Sequence, residues 1–472
     1  MNAVTQEIAD HVQDPSTPFG IYHSGAKVDV MPSLSCFLRS SMDEVRLRYA
    51  AECSRKTLAI IDMDDADYFR RGLLRREVSG MIDYAHQRDH SAHTLYNYLL
   101  GWYVYAFSER IREALKKHFV FRGWTGGPKD FGDLWPFASL THDVGYLFEG
   151  ALSPLTVGGK HTHMQMALDV VRDYFTHDLW AACGFHSVCE RNRLLELSGT
   201  SPPQFLGESL TAVADGLRGI GDLDSLRDAV VEERKSKGLA ARGSDHLAAE
   251  EGLPGDAFDV WRKHYEYYGF PLMGQRITRL ERAFEFMLSE GLGATGLRLL
   301  DHGICSGLLM LQMSTYYFRV HFGLGSSGPD PAYDRDIWQR FRDRYNGSAG
   351  QYECLWWWSA ILWGTAATAL HNAQQLDASW PDDIGETEQL PIDEDPLAYL
   401  GILVDCLQEW DRYTVSREPV IGGSMPLQGV DVELGHDSTH VEIDYHDERV
   451  AQSVKHGLDL ALADWEHVVS IL

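Results

Sequence analysis

The feature that most constrains the fold of this chain is a short apolar run that ends in a histidine followed by an aspartate. The run covers residues 134–140, and shortly after it come His142, Asp143 and Gly145. The apolar residues predict a buried helix, and the glycine marks its end. Adjacent imidazole and carboxylate groups at a helix end can both reach one cation, and Fe, Mn, Zn and Ni accept such ligands. The fold must therefore bring further ligands to this end of the helix.

Further histidines and carboxylates occur in similarly apolar helical patterns. His90 and His93 lie three positions apart at the start of a periodic stretch that predicts one helix over residues 93–119. Asp405 lies in the apolar segment 403–407, where a carboxylate costs free energy unless it is paired or bound to a metal. The candidates for a site assembled from several helices are His90, His93, His142, Asp143, His302, His371 and Asp405.

The order of elements predicts a mainly α protein with a small β-hairpin near its C-terminus. Apolar residues alternate at 430, 432 and 434 and again at 441, 443 and 445, which predicts two paired strands, and residues 450–472 predict a closing helix. We expect the first 32 residues to be loosely attached. The predicted domains are an N-terminal lead with helices (1–80), a helical metal domain (81–415) with a large insertion at about 150–291, and the C-terminal hairpin and helix (416–472).

The composition is strongly acidic, with 42 Lys and Arg residues against 69 Asp and Glu residues and a formal net charge of −27. Such a surface repels phosphate backbones, so the sequence predicts no nucleic-acid polymer and no membrane as a partner. It allows a small anionic substrate that metal ions hold locally. Scattered cysteines without a CxxC motif favour a reducing compartment, and no apolar run is long enough to span a membrane. We therefore expect a cytoplasmic protein, and a homo-oligomer is compatible with the sequence.

The order of the candidate ligands resembles that of the HD-domain metal-dependent phosphohydrolase superfamily, over residues 88–412 apart from the insertion. Members of that family place one histidine, then an adjacent His-Asp pair, then a distal aspartate, and members with two metals add two histidines before the last aspartate. The segments 143–145, 301–303 and 396–410 also resemble this superfamily. This chain supplies the order as His93, His142, Asp143, His302, His371 and Asp405.

The resemblance implies a helical core that projects ligands into one pocket, which holds two divalent transition metals (Fe, Mn, Zn or Ni). Asp143 is then the catalytic carboxylate and bridges the two metals, and His302 and His371 complete the second one. The pair His161 and His163 is an alternative source of the His302 ligand. By the same resemblance, the first metal is held by four residues, His93, His142, Asp143 and Asp405.

The resemblance further implies hydrolysis of a nucleotide or another small phosphoester or anhydride by a metal-activated water. Substrate-binding roles fall to His90 and to Arg412, one turn beyond Gln408. The subfamily that cleaves cyclic dinucleotides has a lysine shortly after the His-Asp pair, where this chain has Gly145 and Tyr146, which argues against that substrate. Two other functions use the same residues: that of a di-iron oxygenase, and that of a metal-containing sensor or scaffold.

Overall fold

The computed structural model of the protein is mainly helical, with a small three-stranded sheet near the C-terminus. It describes residues 3–40, 43–61, 90–146, 215–220, 255–290, 301–321, 354–373, 388–410, 430–437 and 439–472, and a few single positions between 63 and 70 and between 224 and 236. This confirms the predicted fold class, including the hairpin and the helix that follows it. The chain divides into two compact units, residues 1–144 with 370–472, and residues 145–369. The predicted domain boundaries stay a prediction.

The first unit contains most of the described helices, and the second contains the four that lie between residues 257 and 370. In chain order the helices are α1 (Ala3–Gln13), α2 (Pro18–Ser24), α3 (Met31–Arg39), α4 (Asp43–Ile60), α5 (His90–Phe107), α6 (Glu109–Phe121), α7 (Pro128–Leu140), α8 (Ala257–Tyr267), α9 (Pro271–Glu290), α10 (His302–His321), α11 (Cys354–Leu370), α12 (Pro396–Leu407) and α13 (Glu448–Ala461). Within the described ranges, no helix combines the length and the apolar character needed to cross a membrane.

The expectation of a loosely attached N-terminal lead is wrong, because α1 and α2 are part of the core of the first unit. Val4 and Ile8 of α1 and Phe19 of α2 are fully buried. Phe19 packs edge-on against Trp102 of α5, with ring centroids 5.7 Å apart. The apolar residues of α1 recur at helical spacing, so one face of this helix packs against α5 and the C-terminal sheet.

Residues 93–119 form two helices rather than the single predicted one. Ser108 adopts an extended conformation (φ −91°, ψ 111°) between α5 and α6, although its amide still donates to the carbonyl of Val104. One residue in the extended region is enough to redirect a helix without disturbing the apolar periodicity on either side. The sequence pattern therefore could not show the break.

Helices α5 and α7 pack closely because α5 has a glycine where α7 presents a tryptophan. The indole Nε1 of Trp135 donates to the carbonyl of Tyr98 over 2.9 Å, and a Cβ added at Gly101 would overlap the Trp135 ring. Trp135 lies one and a half turns before the end of α7. This contact therefore places the end of α7, and with it His142, beside α5.

Helix α12 begins with a local N-terminal cap. Asp395 caps it by accepting hydrogen bonds from the amides of Leu397 (3.0 Å) and Ala398 (2.9 Å), and Pro396 occupies the first turn. The helix ends at Leu407. It is almost entirely buried and packs against α5, α6, α7 and α13.

The C-terminal sheet pairs three strands in the order β1 (Val432–His436), β2 (Val441–Tyr445) and β3 (Val469–Ile471). Strands β1 and β2 are antiparallel, as the hairpin prediction requires, and β3 is parallel to β2. The predicted closing helix over residues 450–472 is wrong after Ala461. Asp464 takes a left-handed conformation (φ 53°), and a short 3-10 turn (Trp465–His467) leads into β3.

The second unit is described by α8 to α11 and a short segment near residue 218. Helices α8 and α9 pack as a pair, and Arg218 bridges them through ion pairs with Asp256 and Glu281. In α10, a Cβ added at Gly307 would lie 2.6 Å from the Thr365 carbonyl of α11. The backbones of α10 and α11 therefore approach closely at this glycine.

The glycine of α5 gives a direct test of the α5–α7 packing. We expect Gly101→Ala to lower the free energy of unfolding by roughly 1–3 kcal/mol, because the rigid indole of Trp135 cannot yield to the new methyl group. Gly401→Ala in α12 is the matched control, since a Cβ there meets no described atom within 4 Å. Chemical denaturation of both variants measures the difference. Equal stabilities for the two would contradict the packing argument.

Several histidines of the first unit are buried and neutral, which ties stability to pH. Burial lowers the pKa of His23 to about 3, and its Nε2 lies 3.0 Å from the Tyr98 hydroxyl. Burial, with the cation of Arg122, also lowers the pKa of His118 to about 3. The unfolded chain binds a proton at each of these rings below about pH 6.5, and the folded chain does not. Stability is therefore full above that pH and falls as the solution is acidified.

Removing one of these rings should make the acid sensitivity smaller. Between pH 7.5 and pH 5, a histidine that is protonated only in the unfolded chain removes about 2 kcal/mol of stability. His23→Gln keeps an amide for the Tyr98 hydroxyl and does not titrate, so we expect its loss over this interval to be smaller than that of the wild type by about that amount. Denaturant titrations at the two pH values measure it. An equal change in the exposed control His456→Gln would contradict the assignment.

Candidate metal centre

The structure brings together, in the first unit, the side chains of most of the predicted ligands. α5 contributes His93, the residues after α7 contribute His142 and Asp143, α12 contributes Asp405, and His371 directly follows α11. The ligand atoms of His93, His142 and Asp143 lie within 4.8 Å of one another, and so do those of His142, His371 and Asp405. The first unit therefore contains a buried histidine and aspartate cluster that is compatible with a metal site.

The distances within the cluster suit donor atoms that share a cation. Nε2 of His93 lies 2.7 Å from Oδ1 of Asp405. Nε2 of His142 lies 3.3 Å from Oδ1 of Asp143 and 3.5 Å from Oδ1 of Asp405. Donor atoms bound to one ion at about 2.1 Å are about 3 to 3.5 Å apart in octahedral or tetrahedral sites. The two distances from His142 match this separation, whereas Nε2 of His93 and Oδ1 of Asp405 are at hydrogen-bond distance and would move slightly apart to bind one ion.

Hydrogen bonds on the far side of each ring fix which nitrogen faces the centre. The side-chain nitrogen of Gln408 donates to the Trp410 carbonyl, so the side-chain oxygen Oε1 of Gln408 faces His93. Nδ1 of His93 therefore donates to Oε1 of Gln408. In the same way, Nδ1 of His142 donates to the Ser139 carbonyl over 2.7 Å. Both rings therefore turn Nε2 toward the carboxylates. A neutral imidazole nitrogen and a carboxylate oxygen are both acceptors, so acceptors this close need a proton or a metal ion between them.

The electrostatics of the cluster favour ionised carboxylates. Burial alone would raise the pKa of Asp143, but His142 and His90 hold it well below its usual range. Burial likewise opposes ionisation of Asp405, and its bonds to His142 and His93 hold its pKa well below the ordinary value. Burial disfavours the charged form of His142, yet Asp143 and Asp405 together raise its pKa. Two buried anions therefore require positive charge, which protons or metal ions can supply.

Two neutral amides belong to the site, and the sequence analysis missed their roles. Gln408 orients His93 from the end of α12, and Asn97, one turn after His93 on α5, lies among the ligand atoms. Both are almost completely buried. The signal that could have found Asn97 is its position, because a polar residue four after His93 shares its helix face in a stretch that is otherwise apolar.

The remaining predicted residues lie beside the cluster, in the second unit, or outside the described residues. His90 contacts the cluster directly, with Nδ1 3.2 Å from Oδ2 of Asp143. His302 belongs to the second unit, where it begins α10 and its ring stacks on that of Tyr146 at 3.8 Å. Its ligand role stays a prediction. Arg412, His161 and His163 lie outside the residues that the structure describes.

Comparison with known proteins adds no relative: no family model, no curated protein and no solved structure matches this chain. The likeness to the HD-domain superfamily therefore stays a resemblance in the order of the candidate ligands. The buried cluster of histidines and aspartates is compatible with that resemblance and does not depend on it.

The amide of Gln408 should control how well His93 binds a metal. We expect Gln408→Leu to weaken binding of Mn²⁺ or Zn²⁺ by about 10-fold to 100-fold, because the ring loses the acceptor that keeps Nε2 turned to the centre. Metal competition titrations measure the dissociation constants. Gln452→Ala, on the exposed face of α13, is the control and should bind metal like the wild type. Unchanged affinity in Gln408→Leu would contradict the orienting role.

Proposed function

We propose that this protein is a metal-dependent phosphohydrolase that acts on a nucleotide or another small phosphoester or anhydride. The observation that carries the proposal is the pair of imidazoles, His93 and His142, whose Nε2 atoms face the buried carboxylates Asp143 and Asp405. Imidazole and carboxylate ligands suit first-row divalent metals. The same residues occur in the order of the HD-domain hydrolases, which supports hydrolysis as the reaction.

The residues divide between two candidate metal positions that share ligands. His93, His142, Asp143 and Asp405 would hold the first ion. His371, whose ring centroid is 4.8 Å from that of His142, would hold a second, with His302 as a further ligand by resemblance. Bound divalent ions supply a Lewis acid that neutralises phosphoryl oxygens and lowers the pKa of a bound water.

His90 is the best candidate among the described residues for contact with the substrate. Its Nδ1 lies 3.2 Å from Oδ2 of Asp143, so it holds that carboxylate in place. Its side chain is 11% exposed, against 3% for His93, and that of Asp405 is 18% exposed. The cluster therefore opens to solvent on the side of His90 and Asp405. A substrate that approaches from this side meets the His90 ring and the Asp405 carboxylate.

The charge of the protein favours a small substrate over a polymer. A net charge of −27 repels an extended polyanion over its whole length, whereas one phosphoryl group needs attraction at one place only. The carboxylates of the site add to the repulsion until cations neutralise them. Metal loading and substrate binding should therefore be coupled. A cytoplasmic location, which the scattered cysteines favour, fits an intracellular nucleotide as substrate.

Activity and metal content of one matched pair of variants test the proposal. We expect the protein loaded with Mn²⁺, Fe²⁺ or Zn²⁺ to hydrolyse members of a panel of nucleotides and nitrophenyl phosphates. Asp143→Asn should lose bound metal and at least about 100-fold in rate, since it removes a buried anionic ligand. Asp437→Asn is the control, because His436 and Asp437 form a second His-Asp pair on the exposed end of the hairpin.

The outcomes separate the proposal from its alternatives. Absence of hydrolysis across the panel with every metal, although metal is bound, would exclude the phosphohydrolase. Oxygen consumption that occurs only with iron would favour the di-iron oxygenase. Bound metal with neither activity would favour the sensor or scaffold, and wild-type protein that binds no metal would exclude the metal centre itself.

A further inference from the structure

The side-chain amide of Asn97 lies among the candidate ligand atoms, although asparagine was not among the predicted ligands. Its Nδ2 is 3.1 Å from Nε2 of His93, 3.2 Å from Oδ1 of Asp405 and 3.5 Å from Nε2 of His142. The side chain is 1% exposed. All three of these neighbours are candidate ligands of the first ion. The end of the Asn97 side chain is therefore within reach of the position where the ligands converge.

The other terminal atom of the same amide lacks a hydrogen-bond donor. Oδ1 of Asn97 is buried and meets none among the described residues. A buried carbonyl oxygen in this condition costs about 1–3 kcal/mol, so proteins rarely retain one without a function. A rotation of the amide that brings this oxygen among the ligand atoms, with a cation bound there, would give the oxygen a partner. The unpaired Oδ1 therefore points to a bound partner independently of the contacts that Nδ2 makes.

We propose that Asn97 is a direct ligand of the first metal through Oδ1. Rotation of the terminal amide of Asn97 by about 180° exchanges its oxygen and nitrogen, and each atom then lies close to where the other was. The oxygen would then be about 3.1 to 3.5 Å from three ligand atoms, the separation of donors on one ion. This inference rests on the proposed metal centre and adds a ligand to it.

A carbonyl oxygen in the donor set has a consequence for metal choice. Zn²⁺ is usually four-coordinate in proteins, with nitrogen and sulfur ligands prominent, whereas carbonyl, carboxylate and water ligands suit harder ions such as Mn²⁺. Two imidazoles, two carboxylates and one amide oxygen form a set with more oxygen than nitrogen. Asn97 should therefore strengthen Mn²⁺ binding more than Zn²⁺ binding, and so act as a residue that determines metal specificity.

The test compares three proteins that differ at one side chain. Asn97→Ala removes both terminal atoms, and Asn97→Asp replaces the amide by a carboxylate that offers oxygen but no N–H donor. We expect Asn97→Ala to weaken Mn²⁺ binding about 10-fold to 100-fold, with a smaller loss for Zn²⁺, and Asn97→Asp to bind Mn²⁺ at least as tightly as the wild type. Tyr103→Phe, two turns away on α5, is the control for general effects on the helix.

The metals alone are the probes, and calorimetry or competition with a chelator gives the dissociation constants. Mn²⁺ affinity of Asn97→Ala equal to that of the wild type would overturn the proposal. So would an Asn97→Asp protein as weak as Asn97→Ala with an unchanged circular dichroism spectrum, since the N–H donor would then be the functional group. Failure of the wild type to bind metal is a separate result, which contradicts the metal centre rather than the role of Asn97.

Discussion

The centre of the first unit depends on two carboxylates held against two imidazoles in a largely buried cluster. Oδ1 of Asp405 lies 2.7 Å from His93, and Oδ1 of Asp143 lies 3.3 Å from His142. Acceptors outside the centre occupy Nδ1 of each ring, so the inner faces of both rings and both carboxylates offer lone pairs. Such groups stay together in a medium of low dielectric constant only around positive charge. The cluster therefore favours positive charge among these groups, which protons or metal ions can supply.

Close helix packing is what makes those distances attainable. The side chains of the cluster come from different elements. A displacement of about 1 Å between helices would therefore change the distances between their donor atoms by a similar amount. Gly101 lets the ring of Trp135 lie on the backbone of α5, and the indole donates to the Tyr98 carbonyl. A side chain at residue 101 would separate α5 from α7 and His93 from His142. The small residue thus determines the site without taking part in its chemistry.

The sequence predicted the ligand types well and their supports poorly. Imidazole and carboxylate groups are conspicuous in apolar helical patterns, and the start of α12 is a local matter of Asp395 and Pro396, so both could be read from the chain. Gln408 and Asn97 are neutral amides whose roles depend on neighbours that are distant in sequence. The same reason explains β3, which forms by pairing with β2, and the burial of α1 and α2 against α5. Periodicity shows which face is buried, and it does not show what covers it.

The positions of the ligands along their helices give a further reason for cation binding. His142 follows the end of α7, His371 follows the end of α11, and Asp405 lies in the last turn of α12. The last carbonyl groups of a helix have no partner within it and carry partial negative charge. The Ser139 carbonyl is one of them, and it accepts the Nδ1 proton of His142. The carbonyl groups at these three helix ends therefore contribute potential of the same sign as the carboxylates, which favours a cation among them.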